Sequence, residues 1–278
     1  MTQSVLTAPS PRGIDKKINR AIGNRLTALV LVLHIVALFA GFTLLADVFE
    51  FPDVLRYPSE ERLALFRAGQ SIIRPIYWVL TMTGFSQILI SLMLTPRLGA
   101  KGSDAARLAL VFGVIAGFAQ AMGFGRWVIL VPWLAERMAD PSLSPAGHET
   151  IELIEGSFNH FAGMLVGEHL ANIAWGFWLF FSGYAIRKGG QFDRRIGTVM
   201  MVLSPLFGLL AAEQLGLNGR ILDMLTDFGF PALALIHFGL AKQLVGKKDD
   251  TPAKPLGWIA GGVGALLYAA MVWPAIAG

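Results

Sequence analysis

The sequence predicts an all-α protein, a polytopic transmembrane helical bundle of about seven helices with a cytoplasmic N-terminus. Three observations carry that expectation. The chain of 278 residues is 54% hydrophobic and 15% charged, with mean hydropathy +0.58, which is too apolar for an ordinary soluble domain. Apolar runs of about 20 residues, enough to cross a hydrocarbon core of about 30 Å, follow one another along nearly the whole chain. Lys and Arg collect in alternate connections, as cytoplasmic loops do.

Taken in order, residues 1–24 read as a polar cytoplasmic tail carrying Arg12, Lys16, Lys17 and Arg20. The apolar run that follows is longer than the core of a cleaved signal peptide, so it reads as a retained first helix. Residues 25–277 then form one transmembrane domain, with helices expected at 25–49, 72–95, 107–134, 159–186, 196–214, 221–243 and 256–277. The fifth and sixth are joined only by 215–220, so a re-entrant pair is the alternative to two full spans.

Two longer connections, 50–71 and 135–158, fall on the outer side. Within them 61–68 and 148–158 mix charges with apolar residues at helical spacing, which predicts surface helices lying in the interface. Pro141 and Pro145, beside Ser142 and Ser144, mark a turn before the second. The basic connections (Arg97, Lys101 and Arg107; Arg187, Lys188, Arg194 and Arg195; Lys242, Lys247, Lys248 and Lys254) share the side of the tail. Glu50, Asp53, Glu60, Glu61, Glu136, Asp140, Glu149, Glu152 and Glu155 take the other. No internal repeat is evident, so an inverted-repeat transporter gains no support.

Composition removes several functions. With no cysteine there is no disulfide, thiolate metal site, iron–sulfur cluster or covalently attached haem. The net charge of +4 is scattered over short loops, and no basic stripe interleaves with aromatics, so nucleic acid is not an expected partner. Membrane lipid is. HExxH, GxxxxGK[ST] and GxSxG are all missing.

An ionisable side chain in lipid costs several kcal/mol unless paired or wetted, so each one inside a span is a functional candidate. These are His34, Arg126, Glu168, His169, Glu213, Asp223, Asp227 and His237, with the amides of Gln120 and Asn172 beside them. At about 100° per residue, Glu168, Asn172 and Trp175 share a stripe with His169 on its flank, while Gly163, Gly167 and Ala171 form a small-residue stripe suited to close helix contact. His160 lies about half a turn from His169 and does not readily share a metal ion with it. Depth divides the set. Arg126, Glu168, His169, Asn172, Glu213 and Asp227 would form an outer-half pocket for a small ligand, ion or proton, unless Arg126 and a carboxylate merely neutralise each other. His34 and His237 lie nearer the cytoplasmic side, where facing helices would let them ligate a b-type haem. Trp127, Trp133, Trp175, Trp178, Trp258 and Trp273, with Tyr77 and Tyr184, read as interface anchors or bundle packing.

The runs FPDVLRYPSEERLALFRAGQ at 51–70, GFGRWVILVPWLAERMADPSLSP at 123–145 and FNHFAGMLVGEHLAN at 158–172 resemble the bacterial multi-pass membrane proteins catalogued as domain of unknown function 4386. The likeness spans roughly 25–245 and rests on an Arg-Trp pair, a Val-Pro-x-Leu-Ala run and a Gly-Glu-His-Leu turn of helix. It implies a helical membrane fold in the bacterial cytoplasmic membrane and no particular activity. Its motif positions are Arg126, Trp127, Pro132, His160, Gly167, Glu168 and His169. Three classes of function stay open at this point: a transporter or sensor, a membrane redox protein or intramembrane enzyme acting on a lipophilic substrate, and a structural or assembly partner.

Overall fold

A computed structural model describes residues 11–99, 103–189, 191–216 and 220–246, and every regular element among them is helical. The elements are α1 (Pro11–Phe49), α2 (Ser59–Leu98), α3 (Asp104–Met138), α4 (Pro145–Phe158), α5 (Ala171–Gly189), α6 (Arg194–Leu210) and α7 (Arg220–Gly246). A π-wound segment, Asn159–Leu170, joins α4 to α5 without a break, and 3-10 turns occupy Asp53–Arg56 and Ala211–Leu215. The expected span at 256–277 lies outside the described residues.

Local chemistry starts these helices where the polar caps sit. Ser103 accepts from the Ala106 N–H at 3.3 Å ahead of α3, Ser144 accepts from Gly147 with Pro145 in the first turn of α4, and Asp193 accepts from Arg195 ahead of α6. Among the described residues four stretches are long and apolar enough to cross a membrane: Ala21–Phe49, Ser59–Leu98, Asp104–Met138 and Phe228–Gly246. Their outward faces are apolar too, with Ile129 76% exposed and Phe118 60% exposed, a surface that suits lipid better than water.

Several boundaries differ from the sequence expectation, because a helix does not stop where its apolar stripe stops. α1 already begins at Pro11, inside the segment read as a tail. The stretch 61–68, expected to lie in the interface, forms the opening turns of α2 instead. At 40 residues α2 is about 60 Å long, roughly twice the hydrocarbon thickness, so one end stands clear of any core it crosses. The expected surface helix at 148–158 is α4, which runs on into the π segment. α6 ends after 17 residues, about 26 Å, and the chain turns through the 3-10 segment before α7.

Close packing sets the helix neighbours. A Cβ added to Gly84 on α2 would lie 2.5 Å from the Gly117 carbonyl oxygen on α3, so those backbones touch as small residues allow. α5 meets α6 in the same way at Gly183 and Gly197, and α1 lies between α2 and α7. The connections sort to two ends. At one end Arg97 Nε donates to Asn24 Oδ1 at 2.9 Å, Gln191 N–H to the Arg97 carbonyl at 3.1 Å, and Asp193 N–H to Gln243 Oε1 at 2.7 Å. The opposite end holds α4, the 50–58 connection and the first turns of α2.

Candidate functional site

The α4 end is built around a buried ion pair. Arg62 and Glu155 are 3% and 2% exposed, and the fork is bidentate: Nε donates to Oε1 at 2.9 Å and Nη2 to Oε2. Arg62 Nη1 also donates to the Tyr57 and Leu55 carbonyls at 2.6 and 3.2 Å. One guanidinium thus ties α2, α4 and the 50–58 connection together, which fixes geometry more than it adds stability. Beside it Arg56 Nη2 donates to Glu168 Oε2 at 3.1 Å across a partly exposed gap.

Arg126 stands next to this lattice on α3 and is held differently. Its Nη1 donates to the Gly123 carbonyl at 2.8 Å and its Nη2 to Asn159 Oδ1 at 2.9 Å. Asn159 opens the π segment, and its amide donates in turn to the Leu55 carbonyl at 3.1 Å. The guanidinium lies against Gly163, where a Cβ would come within 2.5 Å of Nη2, and 5.1 Å from the Trp127 ring centre. Trp127 stacks on Tyr77 at 4.9 Å with planes 9° apart, and Phe49 meets it edge-on at 5.1 Å. Two donors here have no partner: Arg126 Nε and the Tyr77 hydroxyl. The neighbouring carboxylates that face Arg126, Glu155 and Glu168, are bonded to Arg62 and Arg56.

The π winding matters to this arrangement. Backbone bonds reaching five residues back make a wider helix, a form seen mostly as short insertions at functional sites, and here it covers 12 residues. Each residue then turns the chain by less than an α-helix does, so the 100° phase used to place Glu168 on a stripe with Asn172 and Trp175, and His169 on its flank, does not hold within the segment. Glu168 reaches out to Arg56, whereas His169 Nδ1 donates to the Ala211 carbonyl at 3.0 Å. Asn172 is half-buried on α5. The side chains of Glu213, Asp223 and Asp227 lie outside the described residues. Among the motif positions, Trp127 and Pro132 are buried and His160 is exposed, donating to the Gly156 carbonyl at 2.8 Å. Gly167 faces Gly123, where a Cβ would lie 2.8 Å from its Cα. Sequence reasoning missed Tyr77, Asn159, Arg56, Arg62 and Glu155 as parts of this site. The runs at 51–70 and 158–172 contain Arg56, Arg62 and Asn159, but nothing in them singles those residues out.

Towards the other end the structure brings His34 of α1 and His237 of α7 together, ring centres 5.3 Å apart and planes 16° apart. Trp175 and Trp178 close around them, with ring centres 6.1 to 6.3 Å from the imidazoles. This does not fit the expected haem. Two axial bonds of about 2 Å each, plus the depth of both rings, put ligand ring centres more than about 6 Å apart. Trp175, Trp178 and Trp127 are core residues, at 5%, 0% and 1% exposure, while Trp133 is exposed on the outer face of α3.

A chain whose described elements are all helical, four of them of membrane-crossing length, with a polar interior of this kind is, in class, a helical membrane protein. It belongs to the family described as domain of unknown function (DUF4386), whose model matches residues 26–241. No curated protein and no solved structure matches the chain.

Proposed function

We propose that the chain is a multi-pass protein of a bacterial cytoplasmic membrane that binds a small anion at Arg126, as a transporter or sensor. In this reading the basic connections and the N-terminus are cytoplasmic, the α4 end faces outward, and 256–277 supplies a seventh span. The observation that carries it is the state of Arg126. The guanidinium has only neutral acceptors, its Nε is buried without a partner, and so is the adjacent Tyr77 hydroxyl. Two unspent donors, one of them charged, call for an acceptor that carries negative charge. The nearby carboxylates do not supply it, because Arg62 and Arg56 hold them.

The test uses Trp127, whose ring sits beside the guanidinium. Purified full-length protein in mild detergent is titrated with acetate and with inorganic phosphate while tryptophan fluorescence is read. Saturable quenching that disappears in Arg126→Gln and weakens about tenfold or more in Tyr77→Phe supports the site, given that a hydrogen bond to a charged group contributes about 1.5–3 kcal/mol. No saturable response, or a response unchanged in Arg126→Gln, overturns it. Uptake of the bound anion into proteoliposomes then separates a transporter from a sensor.

A further inference from the structure

Buried polar atoms without a partner are rare, and each one calls for an explanation. Nε2 of His34 and Nε2 of His237 are both in that state, on side chains 2% and 0% exposed. The other nitrogens decide what these atoms need. His237 Nδ1 lies 2.8 Å from the Leu233 carbonyl oxygen, which can only accept, so Nδ1 carries the proton. Ser86 spends its hydroxyl hydrogen on the Thr83 carbonyl at 2.9 Å, so its oxygen accepts from His34 Nδ1 at 2.7 Å. In a neutral imidazole the remaining nitrogen is then a bare lone pair. Two buried acceptors therefore sit on rings 5.3 Å apart.

No described group bonds to either of them. Trp175 Nε1 is committed to Gln120 Oε1 at 3.2 Å, Gln120 Nε2 to Thr83 Oγ1 at 2.7 Å, and Trp178 Nε1 is itself buried without a partner, bonded to neither ring. What the surroundings do offer is aromatic: two indoles against the imidazole pair, whose faces attract cations. Among the described residues no cluster of three metal-ligating side chains exists, and hard divalent ions prefer oxygen ligands. The pair is enclosed, at 2% and 0% exposure, so a ligand of one or two heavy atoms suits it.

We propose that His34 and His237 form a binding site for ammonium or a small primary amine, the two lone pairs accepting N–H bonds and the indoles stabilising the charge. The site takes a cation and lies apart from Arg126, so neither reading depends on the other. Thermal unfolding of the full chain in mild detergent tests it in ammonium chloride, sodium chloride and tetramethylammonium chloride at equal concentration. The last has the charge without N–H groups. A melting point about 2–4 °C higher in ammonium alone, as ligand linkage gives for a chain of this size, and lost in His237→Phe and His34→Phe, supports the site. Equal melting points in the three salts, or an ammonium shift retained in both variants, overturn it and leave bridging water as the occupant. Where the variants do not fold, calorimetry of the unaltered chain with methylammonium decides: saturable heat displaced by ammonium but not by tetramethylammonium supports the site, and its absence overturns it.

Discussion

At the α4 end of the bundle polar burial is ionic: Arg62 and Glu155 are almost wholly enclosed and share a bidentate bond. Around His34 and His237, every hydrogen-bonded group described is neutral: an imidazole, a hydroxyl, an amide or an indole. The two regions also fall short in opposite senses. Beside the ion pair the unpartnered atoms at Arg126 and Tyr77 can donate, whereas the unpartnered nitrogens of the two imidazoles are acceptors, with the Trp178 N–H a lone spare donor near them. Spare donors suit an anion and spare imidazole lone pairs suit a cation, so the two proposed sites differ in the charge they would take. The ion pair bears on only the first of them, because it withholds Glu155 from Arg126.

The comparison is broken most severely by removing one half of the pair. Glu155→Ala leaves the Arg62 charge buried and should destabilise the fold by about 3–5 kcal/mol, while Arg62→Met with Glu155→Leu should come close to neutral. Thermal unfolding in detergent reads both. If the single variant unfolds no earlier than the parent, the pair is not buried as described. Next in size is Gly167→Ala, which drives a methyl group into the Gly123 backbone beneath Arg126. Overpacking of this kind costs about 1–3 kcal/mol, and here it should also weaken acetate quenching of Trp127. The same change leaves the ammonium response intact if the two regions are independent.

The smallest effects are titrations at the α4 end. Tyr57 donates to Glu50 Oε2 at 2.7 Å, and that bond, followed by a small desolvation and the Glu50 charge, holds the phenol above its ordinary value. A phenol raised on folding contributes stability at pH below its unfolded value, and that contribution is lost as pH rises through the folded one. Phenolate absorbance should show one tyrosine titrating earlier in Glu50→Gln, towards about 10. Asp140 behaves in the opposite sense. Bonds from the Ser142 hydroxyl and N–H hold its carboxyl below the usual range, so its contribution is present above the unfolded value and is lost as pH falls through the folded one. Ser142→Ala should raise that titration towards about 3.9, read by carboxyl NMR.

Much of the candidate chemistry was legible in the sequence because charge in an apolar run is conspicuous. Arg126, His34 and His237 stand out on that ground alone, and even the meeting of the two histidines follows once α1 and α7 are neighbours. The partners of Arg126 were not legible. Asn159 and Tyr77 are ordinary residues at their positions, and Arg62 and Glu155 sit in stretches that read as surface helices. An α-helical phase places Glu168 on a stripe with Asn172 and Trp175, but the π winding of Asn159–Leu170 shifts every face in that segment. No periodicity announces such winding.

The sequence by itself determined the helical class and the family, because apolar run length and residue pattern are local properties of the chain. Only the tertiary structure decided which buried group bonds to which, because a hydrogen bond needs two atoms within about 3 Å, and the residues that meet across α1, α2, α3 and α7 lie far apart along the chain.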